Sequence, residues 1–296
     1  MPDPMETTMH ALAANPSRTP PGSALARSHD GRWLVVANAG TLWLADTTTF
    51  GHTPLGLRPG HDVALTNRRV WIARESTLHS APLARGGCAS TAVALDLPHA
   101  SLAAAASAIV VASDRGTYLV RDGGDHVELC PRRTAVRAIG ETRFLMIDGG
   151  AASIVDVAPA APHVTRLALS APILDAAPLL DRTTCVLLLD RRDRSPGEQE
   201  LAVMRANGSV LLRIRVARVT RLAAAARAFI VALATDDGRV IVYDLRERGV
   251  VSADRVTGAG ACEIALDPDG KTLHIVARRG DRAQLSERHL RGAPPS

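Results

Sequence analysis

Lysine is all but missing from this chain: of its 35 basic residues only Lys271 is a lysine, and the rest are arginines. The residues before it, Pro268-Asp269-Gly270, do not make the G-x-x-x-x-G-K-[ST] phosphate loop, so a P-loop nucleotide site is excluded. Neither G-x-S-x-G nor H-E-x-x-H occurs, which removes the nucleophile elbow and the zinc-protease helix. Aromatic residues make up only 3% of the chain, too few for the base-stacking platforms of single-strand nucleic-acid binders. The four cysteines, Cys88, Cys130, Cys185 and Cys262, include no C-x-x-C pair, which argues against a zinc ribbon, a redox motif or a disulfide framework. Cys185 and Cys262 sit in apolar surroundings (TTCVLLLD and GACEIALD) and are expected to be buried, reduced thiols. The longest nearly apolar runs, residues 101–112 and 222–234, fall short of the roughly 20 residues a membrane span needs. Residues 1–22 carry Asp3 and Glu6 where a secretory signal would be basic. An intracellular protein is therefore expected, chiefly cytoplasmic and with a nuclear location also compatible.

What the chain does have is the composition of a globular protein. It is 46% hydrophobic and 22% charged, with 23 Gly and 18 Pro in 296 residues, so it can bury a sizeable core. The net charge of +5 comes from Arg and Asp interspersed along the sequence and not from one basic block, which favours a mixed soluble surface over a strong nucleic-acid binder.

A unit repeats seven times. Each holds a short turn, an apolar strand of four to six residues, a charged or Gly-containing turn and a second apolar strand: GRWLVVANAGTLWLAD from Gly31, RRVWIARESTLHSAP from Arg68, SAIVVASDRGTYLVRD from Ser107 and TRFLMIDGGAASIVDV from Thr142. TTCVLLLDRRDRSPGEQELAVMR from Thr183, RAFIVALATDDGRVIVYD from Arg227 and KTLHIVARRGDRAQLSER from Lys271 complete the set. Anchors at Trp33, Val70, Ile109, Phe144, Val186, Phe229 and Leu273 are spaced by 35 to 44 residues, which brackets the roughly 40–45 of a four-stranded propeller blade. Before each hairpin lies a segment of small residues suited to a crowded innermost strand: residues 23–27, 62–66, 100–106, 135–139, 173–177, 220–226 and 262–266. Alanine is a poor strand former alone, so the AAAA runs could be helical in isolation; their recurrence in phase with the hairpins makes them strands. Outer-strand candidates follow at residues 91–97, 163–169 and 210–216.

The pattern predicts an all-β, seven-bladed β-propeller with four-stranded antiparallel blades over residues 23–290, and a short tail at 291–296. The seventh unit has only three convincing strands, while residues 7–14 (TTMHALAA) belong to no unit. The N-terminal segment 1–22 is therefore expected to supply the last blade's outer strand and close the ring, with a Pro-rich connector at 15–22.

The chain resembles the WD40 and related propeller repeats. The resemblance is closest over residues 227–277, where DDGRVIVYDLRERG is followed by LDPDGKTLHIVA. The Asp that ends the third strand of that repeat is matched by Asp46, Asp122, Asp156 and Asp244, and Gly60-His61 matches the family's Gly-His dipeptide. No unit carries the Trp-Asp pair itself, and the seventh begins Gly258-Ala259 in place of Gly-His, so the repeats are degenerate. Trp33, Trp43 and Trp71 are the only tryptophans, which disfavours the tryptophan-docked quinoprotein propellers.

The leading functional expectation is a non-enzymatic scaffold or subunit of a larger complex that binds protein partners, with no cofactor and no metal. The turns between second and third strands share one face in a propeller. They carry Arg74, Glu75, Asp114, Arg115, Asp148, Asp190, Arg191, Arg192, Asp193, Arg194, Asp236, Asp237, Arg278, Arg279 and Asp281, and loops set on a rigid scaffold are where binding usually resides. The simpler account is that turns are polar because they are wet. DRRDRSPGEQE at 190–200 is too long for a tight hairpin and is expected to project. On residues 210–216, Arg213 and Arg215 share one side of a strand, either protecting an edge or forming a candidate anion-binding strand for nucleic acid. A hydrolase or lactonase with a channel metal on Glu263, Asp175, Asp62 and Asp148 is the enzyme alternative. Of ten scattered histidines, His61 is the best single metal or acid–base candidate, with a loop-to-strand hydrogen bond as its plainer role. Arg279-Gly280-Asp281 reads as a turn.

Overall fold

A computed structural model of the chain describes residues 8–10, 25–38, 40–49, 51–83, 90–148, 151–158, 161–167, 169, 171–179, 184–191, 198–205, 207–256, 262–279 and 282–290. Every regular element among them is a strand, and the strands form seven four-stranded antiparallel sheets. The fold is the seven-bladed β-propeller that the repeat count predicts.

The chain divides into two units, Ser17–Pro172 and Met1–Pro16 with Ile173–Ser296. The first holds four blades, each in strand order: β2 (Leu25–Arg27), β3 (Trp33–Asn38), β4 (Thr41–Asp46) and β5 (Gly51–Pro54); β6 (Asp62–Leu65), β7 (Arg69–Arg74), β8 (Thr77–Pro82) and β9 (Thr91–Asp96); β10 (Ser101–Ala104), β11 (Ala108–Ser113), β12 (Gly116–Arg121) and β13 (His126–Cys130); β14 (Ala135–Ala138), β15 (Arg143–Asp148), β16 (Ala151–Asp156) and β17 (His163–Leu167). The second holds three: β18 (Ile173–Leu179), β19 (Thr184–Asp190), β20 (Glu198–Arg205) and β21 (Val210–Ala217); β22 (Val219–Ala224), β23 (Ile230–Thr235), β24 (Arg239–Asp244) and β25 (Gly249–Arg255); and β26 (Cys262–Leu266), β27 (Thr272–Arg279) and β28 (Arg282–His289) with β1 (Thr8–His10) as fourth strand. β1 sets Thr8 opposite Glu287, Met9 opposite Ser286 and His10 opposite Leu285. The rest of the expected strand 7–14 lies outside the described residues.

A gradient of burial explains why each stretch takes its place. The second strands β11, β19 and β23 are buried at every residue, and neighbouring blades of the same unit pack against both faces of β11 and β23. Their apolar runs are accordingly continuous and not alternating. The fourth strand β17 is exposed at four of its five residues. First strands touch those of the neighbouring blades, β2 with β6, β6 with β10 and β10 with β14 in one unit, β18 with β22 and β22 with β26 in the other. Small side chains let them approach. Ala103 and Ala105 pack with Val136 and Phe144, and Ala223 and Ala225 pack with Cys262 and Leu266. Each fully buried Leu, Val or Ile contributes about 1.5–3 kcal/mol.

Hydrogen bonds step from blade to blade through the turns between first and second strands. Asp30 N donates to Asn67 Oδ1 at 2.9 Å, Asn67 N to the Ala106 carbonyl at 2.9 Å, and Ala106 N to the Glu141 carbonyl at 3.1 Å. In the other unit Arg227 N donates to the Pro268 carbonyl at 2.8 Å. Gly60 makes the entry to β6 possible, because a Cβ there would lie 1.9 Å from the Ala73 carbonyl oxygen. Cys185 and Cys262 are buried free thiols. Burial pushes the Cys185 thiol up to about 12, so it is protonated and inert at neutral pH. Cys88 lies outside the described residues.

Candidate functional site

In an antiparallel blade the turn between second and third strands shares an end with the connection leading into the next blade. The two are bonded together here: Asp114 N donates to the Pro98 carbonyl at 3.3 Å, and Leu97 N to the Ser76 carbonyl at 2.7 Å. Along this end of the 17–172 unit, exposed charges pair in sequence. Arg74 Nη2 donates to the Arg58 carbonyl at 2.6 Å, and Glu75 next to it sits at φ 52° in the tight turn. Arg115 lies 3.4 Å from Asp96, and Asp114 accepts from His99 at 2.8 Å and from Arg133 at 3.0 Å. Arg132 Nε lies 3.2 Å from Asp148. The His99 hydrogen bond, and then that from Arg133, hold the Asp114 carboxyl below its ordinary range. Thus Asp114, Arg115 and Asp148 are brought into one ladder, each pair joining a turn to an interblade connection.

The partners Asp96, His99, Arg132 and Arg133 are not singled out by the turn motif. What marks them is topology: a reading that pairs each turn with the connection at its own end would include residues 96–99 and 131–133.

In the other unit the expected residues separate. Asp236 and Asp237 are exposed in the turn between β23 and β24. Asp237 accepts from Thr235 Oγ1 at 2.6 Å and lies 3.1 Å from Arg239 Nε; the Thr235 hydroxyl is the main cause that lowers its carboxyl. Asp190 and Arg191 do not join an exposed face. They are 8% and 5% exposed, and Arg191 Nε lies 3.7 Å from Oε2 of Glu200, itself 4% exposed. The physical reason is that both residues form the base of the loop, where β19 and β20 still cover them, and a buried guanidinium needs its carboxylate. Arg192, Asp193, Arg194 and Asp281 lie outside the described residues. Arg278 and Arg279 close β27, opposite Ala283 and Arg282.

Arg213 and Arg215 do share one side of β21, but both are engaged. Arg213 bonds Glu200 Oε1 directly, and Arg215 Nε lies 3.7 Å from Glu198. Carboxylates on the neighbouring strand thus balance the stripe that would have gripped an anion.

The carboxylates of the metal-hydrolase alternative are likewise employed in holding first strands together. Asp62 Oδ2 accepts from Leu102 N at 2.8 Å, and Asp175 Oδ2 from Leu222 N at 3.3 Å, each reaching the next blade. Glu263 is met by Arg221 Nε at 3.2 Å, and Glu263 first, with a smaller contribution from Asp175, holds the Arg221 guanidinium above its ordinary value. His61 Nε2 lies 2.8 Å from the Ala100 carbonyl, the loop-to-strand bond of its plainer reading. Among the described residues no group of three His, Cys, Asp or Glu converges as a metal cage, and no helix is long and apolar enough to cross a membrane.

One device recurs at the end of third strands. Asp46 Oδ1 accepts from Thr48 N at 3.0 Å, Asp156 Oδ1 from Ala158 N at 3.1 Å, and Asp244 Oδ1 from Arg246 N at 2.8 Å. In each, the carboxylate ties the backbone two residues on, an Asx turn. Compared with known proteins, the chain matches no family model and no curated relative.

Proposed function

We propose that this protein is a non-enzymatic, WD40-like propeller that works inside the cell as a protein–protein interaction subunit, gripping its partner with the turn face of blades two to four. The ladder of Asp96 with Arg115, His99 with Asp114 and Arg133, and Arg132 with Asp148 carries the reading. The Asx turns at Asp46, Asp156 and Asp244, together with Gly60-His61, support the WD40-like assignment.

The charges in the ladder are exposed, with 66% of Arg115 and 72% of Arg132 open to solvent. Such solvent-screened pairs add little to the stability of a fold. A partner that offers its own carboxylates and guanidiniums exchanges them at small cost, and the turns hold them where Arg forks can engage. Alternating sign along the face selects a partner of complementary alternation.

The test is affinity capture of the tagged protein from its native cells, followed by mass spectrometry, comparing wild type with Arg115→Glu/Arg132→Glu. The expected result is a stoichiometric partner that is lost from the variant while its melting curve stays unchanged. Undiminished recovery, or a wild-type protein that comes out alone, overturns the reading. Arg191→Ala is unsuitable for this purpose, because its buried guanidinium belongs to the fold.

A further inference from the structure

Exposed large aliphatic side chains concentrate at one kind of place. Val127, Val164, Val210, Leu211, Val250 and Val251 all fall within the first three residues of a fourth strand. Among these strands β25 combines three features. Val250 is 54% and Val251 37% exposed, and a β-bulge leaves Val251 as the extra residue between Val250, opposite Tyr243, and Ser252, opposite Val242. β25 hydrogen-bonds only to β24 in its sheet, so its other edge has no strand partner among the described residues. By contrast β1 covers β28, and β21 carries two ion-paired arginines across its edge.

The third feature is charge. Asp254 of β25 is already held by Arg288 and by Ser252 Oγ, and the Asp244 carboxylate is occupied by the backbone N–H groups of Arg246 and Glu247. Exposed around the strand are Arg246, Arg248 and Arg255 against Glu247. The Arg246 guanidinium lies over the Phe229 ring at 5.2 Å, while Arg248 and Arg255 make no ion pair among the described residues. An unpaired edge beside exposed valines is a template for an added strand, and the surrounding excess of arginine selects an acidic one.

We propose that β25 is a strand-addition site for an extended acidic segment of a partner protein. The segment pairs along residues 252–255, sets aliphatic side chains against Val250 and Val251, and places carboxylates against Arg248 and Arg255. A second copy of this chain is the wrong occupant, because two β25 strands side by side would bring arginines against arginines, and like charges across a strand pair are destabilising. The site shares no residue with the turn face and does not depend on that reading.

The probe is a fluorescein-labelled decapeptide of alternating Glu and Val, titrated with the full-length protein by fluorescence anisotropy. Alternating Lys-Val and Glu-Ser peptides serve as controls. Saturable binding of the Glu-Val peptide is expected, weakened by salt and reduced roughly tenfold or more by Arg248→Glu/Arg255→Glu and by Val250→Ser/Val251→Ser. Arg115→Glu should leave it unchanged. All substituted side chains are exposed, and thermal melting confirms that each variant is folded. No saturation with Glu-Val, equal binding of Lys-Val, or retention by both double variants overturns the proposal. So does sedimentation showing a dimer that Val250→Ser/Val251→Ser dissolves, which would assign the edge to a second copy.

Discussion

Truncating Glu200 to alanine removes a carboxylate that two arginines share. Glu200 is 4% exposed, Arg191 on one side is 5% exposed, and Arg213 on the other bonds it directly from β21. Removing one partner from a buried ion pair costs about 3–5 kcal/mol, because the remaining charge stays desolvated. The Arg213 side chain is 43% exposed and can turn to water, so the loss falls on Arg191 and lies near the lower end, about 3 kcal/mol. With an unfolding entropy of roughly 2.1 cal/mol/K per residue, each kcal/mol moves the Tm of a chain this long by about 1.5–2 °C, so a fall of about 5 °C is expected. Glu198→Ala is the matched control: it lies on the same strand, but its partner Arg215 is 81% exposed at 3.7 Å. That pair is worth about 0–1 kcal/mol, which is a shift of about 2 °C at most. Circular dichroism melting at neutral pH, with urea titration alongside, measures both. Equal melting temperatures for the two variants would refute the reasoning. A second arm removes both members of the pair: Arg191→Met in the Glu200→Leu background should recover most of the loss, since apolar replacement of a whole buried pair is close to neutral.

Two further outcomes follow from the same structure. Deleting residues 1–15 removes β1 and leaves β28 unpaired on that side, so the melting temperature should fall by several degrees; an unchanged curve would show that the N-terminal strand does not seal the last blade. Asp122 provides a pH test. Burial raises its carboxyl above the ordinary value, outweighing the Thr66 hydroxyl bonded at 2.9 Å and the nearby Trp71 indole, which pull the other way. A raised carboxyl favours the folded state only when protonated, so its contribution is present at low pH and lost as the pH rises through the folded value. In Asp122→Asn this dependence is gone: the variant's Tm relative to wild type should climb as the pH rises above the ordinary carboxylate range of about 4. A difference that stays flat with pH would refute it.

The blades were legible because their requirements are local and repeat. A small-residue stretch, a continuous apolar run, a half-buried strand and a wet one recur in that order, and each of the seven predicted small-residue segments overlaps a first strand. Even TRLAAAA, whose alanines favour helix in isolation, becomes β22, because packing between blades overrides propensity. The charged turns were less legible. Asp114 and Asp190 both end an apolar run before a turn, yet one is exposed in an ion-pair ladder and the other is 8% exposed beside buried Arg191. What separates them is the covering supplied by residues far along the chain, His99 and Arg133 for one, Glu200 and its strand for the other. Period-two patterning likewise places Arg213 and Arg215 on one side of their strand but is blind to Glu198 and Glu200 across the ladder.

Four of the seven third strands end on or next to an aspartate, Asp46, Asp122, Asp156 and Asp244, and none carries a Trp-Asp pair. Asp46, Asp156 and Asp244 each receive an N–H from two residues on, closing the turn from third to fourth strand. Asp122 stands at the corresponding corner of blade three but has turned its carboxylate to Thr66 of the preceding blade. There Trp71 is fully buried within the core cluster shared by blades two and three. One residue type at one repeat position thus serves two ends: a local turn at Asp46, Asp156 and Asp244, and a tie between blades at Asp122.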